Sequence, residues 1–384
     1  MYSIGNAPFR EQNLTAYRLR STLHGYIITV SYGFCNCRLT NAGNWGILIC
    51  ERVANLKMIG KITVNKIIKC ISPIIAAVLI LLSLCACADI KTAESGKIKV
   101  VCTVFPIYDW TREIASDKAE IIWLTEGGTD MHSFQPSAAD MVKIAECDIL
   151  IYIGGESDKW VDEAAKQYQS EKRTIVNLTS LLGDSLKEEE HTDGMEEEHE
   201  HEEETEYDEH IWLSLKNADL FSGAIADALA YKDPQNAEFY KENARNYTEK
   251  LTALDGGYQK AVSEAKNKTL LFADRFPFRY LTEDYGLSYY AAFPGCSAET
   301  EASFETVAFL IAKADELGLK YIIKTETAGT KIAETVIANT KEKNQEILVL
   351  DSMQSVGIKD AKKGTTYLSV MEKNLETIKK ALGE

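Results

Sequence analysis

From residue 98 onward, short apolar runs alternate with amphipathic stretches along the chain. Residues 98–104 (IKVVCTV) are rich in β-branched side chains and predict a buried strand. A helix is expected over 107–116, then a strand over 120–124 (EIIWL). Ser137 is placed to N-cap a helix ending at 146, with Asp140 in its first turn. Residues 148–153 (DILIYI) predict a strand, 159–168 a helix and 174–178 (TIVNL) a fourth strand. Residues 236–266 predict one long helix. Phe239, Tyr240, Ala244, Tyr247, Leu251 and Leu254 form its apolar stripe, and Gly256-Gly257 marks a place for a bend. The alternation then resumes, with strands over 269–273, 288–292, 320–324 and 346–350 and the clearest helices over 304–317, 328–340 and 366–382. Such alternation predicts an α/β fold of two lobes, each a mostly parallel four-stranded sheet with flanking helices. In parallel sheets ligands sit at the carboxyl ends of the strands.

The start of the chain follows different rules. Residues 1–57 show no clear period. A basic segment from Met58, an apolar run over 74–84 and a small-residue exit make a secretory signal over 58–86. Leu84-Cys85-Ala86-Cys87 resembles a bacterial lipobox, with Cys87 as the residue that carries the lipid. Met58 is then the expected start and residues 1–57 an upstream translation artefact. The rival is a genuine extension with a membrane anchor, but the apolar run is short of the roughly 20 residues that a spanning helix needs. Residues 87–97 become lipid anchor and tether, 98–235 the first lobe, 236–266 the connecting helix and 267–384 the second lobe. The protein is expected to be extracytoplasmic, lipid-anchored to the bacterial cell membrane, and monomeric.

Charge narrows the partners. The 384 residues carry a net charge of −16, and residues 1–86 hold nine of the basic side chains against two acidic ones. The remainder is therefore more acidic still, and nucleic acid is excluded as a partner. Cys102, Cys147 and Cys296 remain beyond the anchor, and none lies in a CxxC pair. Much of the acid is concentrated within a loop predicted over 183–209. Residues 188–209 hold fourteen Asp/Glu, His191, His199 and His201, and no Lys or Arg. A run this acidic repels itself and is expected to be a mobile loop. Four of the chain's six histidines fall between His191 and His210, and carboxylate with imidazole is a ligand mixture for divalent transition metals.

Among the predicted strand-end loops, residues 125–140 carry His132, the one histidine of the first lobe before the acidic segment. A lone loop histidine is more often a surface residue than a ligand; its place at the ligand edge raises it. Asp351 directly follows the strand EILVL, where an aspartate is more often a turn or capping residue.

The stretch Thr129-Asp-Met-His132-Ser-Phe-Gln-Pro-Ser-Ala-Ala-Asp140 resembles the "DPHxYEPxPSD" loop of the substrate-binding lipoproteins of zinc and manganese ABC transporters. Asp208-Glu-His210-Ile-Trp-Leu-Ser214 resembles their "DPHxWLSP" segment. The resemblance covers the chain from Cys87 on. It implies that the long helix joins the lobes and limits their relative motion, that the metal site lies in the cleft between them, and that His132 and His210 are ligands. It also implies a carboxylate ligand at Asp351 and a carboxylate at Glu301 that orients a histidine. The family's His or Glu ligand opening the helix after the fifth strand falls on Arg275, which cannot ligate a cation. Either a one-residue shift lets Asp274 replace it, or the site uses fewer core ligands; Arg275 then pairs with Asp351 or Glu301. Cys296 is as readily a packed residue as a thiolate donor.

The function implied is capture of Zn²⁺, with Mn²⁺ as runner-up, and delivery to an ABC permease, the acidic histidine segment acting as collector. An envelope zinc hydrolase is the rival class. It lacks support, because the sequence has no HExxH, Gly-x-Ser-x-Gly or Cys-His nucleophile pairing, and the protein is expected not to be an enzyme. Cell adhesion is compatible with either class and is tested by nothing in the residues.

Overall fold

The computed structural model describes residues 28–32, 35–42, 45–50, 96–128, 131–168, 170–195, 207–297 and 301–383. The chain divides into two units, Met1–Ala93 and Glu94–Glu384.

In the first unit, β1 (Ile28–Tyr32), β2 (Cys35–Ala42) and β3 (Trp45–Cys50) form an antiparallel sheet. Tyr32 pairs with Cys35 and Ala42 with Trp45. The dipeptides between them, Gly33-Phe34 and Gly43-Asn44, carry the Gly-first signal of tight hairpins. That signal is local and does not depend on the period that residues 1–57 lack. The proposed export signal and Cys87 lie outside the described residues, and no helix among the described residues is long and apolar enough to cross a membrane.

The second unit has two lobes. In the first, β4 (Ile98–Cys102), β5 (Ala119–Trp123), β6 (Ile149–Tyr152) and β7 (Thr174–Asn177) pair in parallel in the order β5-β4-β6-β7. Helices α1 (Phe105–Ala115), α2 (Ala138–Glu146), α3 (Lys159–Gln167) and the short α4 (Leu178–Leu182) connect the strands and leave the last of them. Ser137 closes a capping box on α2 with Asp140, as its sequence predicts. In the second lobe, β8 (Thr269–Phe276), β9 (Ser288–Pro294), β10 (Tyr321–Thr325) and β11 (Glu346–Leu350) pair in parallel in the order β11-β10-β8-β9. Here α7 (Arg279–Tyr285), α8 (Phe304–Leu317) and α9 (Lys331–Asn339) make the crossovers, with α10 (Ile358–Lys362) and α11 (Tyr367–Leu382) closing the chain. Both sheets have four parallel strands, as the apolar alternation predicts.

Between the lobes run α5 (Leu215–Lys232) and α6 (Ala237–Glu264). The buried side chains of α6 include Tyr240, Ala244, Tyr247, Leu251, Leu254 and Tyr258, the predicted stripe extended by one turn. Each large apolar side chain so buried contributes about 1.5–3 kcal/mol. The helix continues through Gly256-Gly257, and no separate element begins there. Helix α5 is absent from the sequence-based expectations: its buried residues include Leu215, Ala218, Phe221, Ser222, Ile225 and Ala226, and its apolar character is too evenly spread for one stripe to announce it.

One apolar cluster runs from the first sheet through α1, α5, α6 and α11 into the second. At its middle Trp110 meets Phe221 at 5.9 Å and Tyr367 at 5.0 Å between ring centroids. Polar bonds reinforce this junction. The buried carboxylate of Asp109 on α1 accepts from the backbone N–H of Tyr367 at the start of α11 (2.8 Å), and the Tyr367 hydroxyl donates to the Trp212 carbonyl (2.7 Å). The lobes are thereby fixed to one core, and loops from the carboxyl ends of both sheets meet at the cleft between them.

Candidate metal centre

His132 lies on a 3-10 turn, Met131–Ser133, in the loop after β5. Its Nδ1 is 2.8 Å from the Ser157 hydroxyl and 3.7 Å from Glu209 Oε2. Gly155, in the neighbouring loop after β6, has φ +98°, and a Cβ there would fall 2.3 Å from Glu209 Oε1. Glycine is what allows that loop to sit against the glutamate and present Ser157 to His132.

His210 precedes the 3-10 turn Ile211–Leu213 and is fully buried. Its backbone N–H donates to Asp208 Oδ1 (2.8 Å), and its Nδ1 lies 3.0 Å from the same oxygen. Asp208 therefore holds the ring from behind and leaves the Nε2 lone pair facing the cleft. This is the carboxylate–histidine arrangement that orients metal-binding imidazoles. Burial alone would lower the His210 pKa, but the carboxylates of Asp208, Glu209 and Glu189 together outweigh it, so the pKa stands above the ordinary value. Burial raises the pKa of Glu209, and it lifts Asp158, which underpins the Gly154 loop, to about 7.

The two Nε2 atoms are 3.3 Å apart. Two imidazoles bound at 2.0–2.1 Å to a tetrahedral ion place their nitrogens ~3.3–3.4 Å apart. Each ring has an oxygen partner at Nδ1, so both Nε2 atoms are turned toward one point. Among the described residues, His132, His210 and Cys296 form a group whose potential ligand atoms all lie within 4.8 Å of one another. Cys296 comes from the other lobe, on the loop after β9. Its backbone N–H donates to Glu189 Oε1 (2.8 Å), and Arg275 Nη1 donates to the next carbonyl, Ser297 O (3.3 Å). Gly295 lets this loop approach: a Cβ would fall 2.9 Å from Phe276 O and 3.3 Å from the His210 ring. Burial, and then the charges of Glu189, Asp208 and Glu209, push the Cys296 thiol well above its ordinary pKa.

The carboxylates expected as ligands each accept hydrogen bonds within the second lobe. Asp274 Oδ2 accepts from the Thr325 backbone N–H (2.7 Å) and hydroxyl, joining β8 to the end of β10. Asp351 Oδ1 accepts from the Met353 N–H (2.8 Å), the turn role that a strand-end aspartate commonly takes. Neither joins the group around the histidines. Glu301 is 86 % exposed with Lys331 Nζ at 3.9 Å, which corrects its expected place behind a histidine. Arg275 instead steadies the loop that carries Cys296. Gln354, which no sequence motif singles out, places its side-chain amide against His210 Nε2. Glu326 positions it by accepting from Ser352 N–H (2.7 Å) and Gln354 N–H (3.2 Å). The available signal was its place in the same strand-end loop as Asp351.

The first part of the acidic segment is tied to the second lobe. Glu188 bridges to Tyr207. Glu190 meets Arg279 and the Tyr289 hydroxyl, and Met195 is buried. The expected mobile loop is thus corrected for residues 188–195, where cationic and hydroxyl partners on the second lobe offset the self-repulsion. His191 is exposed; His199 and His201 lie outside the described residues.

The family model for the zinc-uptake complex component A, periplasmic (ZnuA) matches residues 100–381. The chain belongs to this family. Within it, the chain is 34% identical over 301 residues to the zinc-binding protein AdcA of Streptococcus pyogenes serotype M1, covering 75% of this chain and 57% of that protein. The chain therefore spans little more than half the length of AdcA. It is 29% identical over 318 residues to the high-affinity zinc uptake system protein ZnuA of Bacillus subtilis, covering 80% and 96% of the two. The Zn(II)-bound ZnuA-like domain of Streptococcus pneumoniae AdcA superposes with a TM-score of 0.61 at 30% identity, over 75% of this chain and 100% of the domain.

Asp208 supplies a test of this geometry. Asp208→Asn keeps an acceptor for the backbone but removes the charge behind His210. It is expected to weaken zinc binding about 10–100-fold with little loss of thermal stability, checked by competition calorimetry and a melting curve.

Proposed function

We propose that this protein captures Zn²⁺ in the cleft between its lobes and delivers it to an ABC permease for uptake. The observation that carries this reading is the pair of Nε2 atoms 3.3 Å apart, each ring held from behind at Nδ1 by an oxygen partner. Zinc takes neutral imidazole nitrogens at about this separation. Both rings must be neutral to bind the ion, so protons compete with zinc as the pH falls. The zinc-uptake relatives support the choice of ion and of partner. Residues 58–86 as export signal and Cys87 as lipidated anchor would hold the protein outside the membrane, within reach of the permease. His132 and His210 are the proposed core ligands, while His191, His199 and His201 belong to an auxiliary collecting segment that acts by weak, many-sited coordination and a negative field.

Calorimetric titration of the full chain with Zn²⁺ and Mn²⁺ tests this. One tight zinc site is expected, together with weaker sites that disappear when residues 196–206 are deleted. A tight site lost with that deletion would overturn the cleft as the binding site. Manganese bound as tightly as zinc would move the assignment to manganese uptake.

A further inference from the structure

The two histidines supply half of a tetrahedral set, and the carboxylates expected to complete it are not in the group around them. Asp274 Oδ2 accepts from Thr325 and Asp351 Oδ1 from the Met353 N–H. The side chain that the second lobe does bring to the group is Cys296. Three features hold it there. Gly295 removes the Cβ that would strike Phe276 O and crowd the His210 ring. Glu189 holds the Cys296 N–H, and Arg275 holds the carbonyl of Ser297. The residue that cannot itself ligate a cation thus secures the loop of one that can.

We propose that Cys296 is a metal ligand, its thiolate joining His132 and His210 in a two-nitrogen, one-sulfur site that selects zinc over manganese. The inference rests on the reading of His132 and His210 as ligands. On binding, the thiol proton passes to solvent and the sulfur lone pair forms the bond to the ion; nothing is oxidised or reduced. A coordinated thiol is deprotonated by the ion's own charge. Thiolate is a soft donor that suits zinc, whereas manganese favours oxygen. With one ligand from the second lobe and two from the first, bound zinc would also tie the lobes together. Gln354, against His210 Nε2, borders the fourth side.

The test uses Co²⁺ as a spectroscopic probe in the full-length, reduced chain, compared with Cys296→Ser and His210→Ala. The wild type is expected to show a near-ultraviolet sulfur-to-cobalt charge-transfer band that zinc abolishes by displacement. Cys296→Ser is expected to lose that band, bind zinc at least tenfold more weakly and lose less of its manganese affinity than of its zinc affinity. Its melting curve in chelator should match the wild type, which separates ligand loss from misfolding. Tight binding that depends on His210 but shows no such band, or a band that persists in Cys296→Ser, overturns the thiolate ligand and leaves the zinc-capture reading standing. Failure of the wild type to bind Co²⁺ or Zn²⁺ overturns both.

Discussion

Alanine at both His132 and His210 will remove the tight zinc site, lowering affinity by more than the roughly 100-fold upper range for loss of an orienting group. The two single changes should separate cleanly. The His132 side chain is 15% exposed and sits on a loop, so His132→Ala removes a ligand at little cost to the fold. His210 is fully buried with Asp208 behind it. His210→Ala therefore leaves a buried carboxylate without its imidazole partner, and some stability should go with the metal site. Competition calorimetry measures the first effect, and melting in chelator the second. Zinc affinity within threefold of wild type in the double variant would place the site elsewhere.

Trp212→Ala is the change expected to cost the most stability. Its ring is buried against His210, with centroids 5.2 Å apart. Its Nε1–H donates across the cleft to Ser352 O (2.9 Å), and its own carbonyl accepts from Tyr367. Truncation of a large buried aromatic costs about 3–5 kcal/mol, and the Ser352 carbonyl loses its donor as well. A fall of roughly 10 °C in the melting temperature of the two-lobed unit is expected. Because Ser352 begins the turn that carries Gln354, zinc affinity should also fall. Trp212→Phe refills the space without the N–H donor and should recover most of the stability but less of the affinity. A drop below 2 °C for Trp212→Ala would show that the junction is held by other contacts.

The sequence revealed what local chemistry determines. Eight strands were legible because short apolar runs alternate with amphipathic stretches, and α2 because Ser137 and Asp140 close a capping box within four residues. His132 and His210 were legible because each sits in its own short motif. What escaped depends on contacts distant in sequence. Asp274 and Asp351 stand at strand ends, but the structure does not bring them into the group around the histidines, and composition does not record which strand-end loop comes closest. Cys296 lies 86 residues beyond His210, and only the crossing of two strand-end loops at Gly295 joins them. Helix α5 gave no single apolar stripe because it is buried on several sides.

The bridge between Glu188 and Tyr207 has a consequence for how this protein can change. With Asp208 N–H donating to Lys187 O (2.9 Å), it closes both ends of the acidic segment just before His210. The ligand's position is set by this closure and by Asp208, and Glu189, Glu190 and Met195 are held on the second lobe, so the number of residues inserted between Met195 and Tyr207 is the free variable. Doubling it would cost only about 0.6 kcal/mol in closure entropy. The collecting segment can therefore lengthen, shorten or exchange its histidines at a nearly fixed price, and the zinc affinity of the cleft and the ion capacity of its surroundings are open to separate selection.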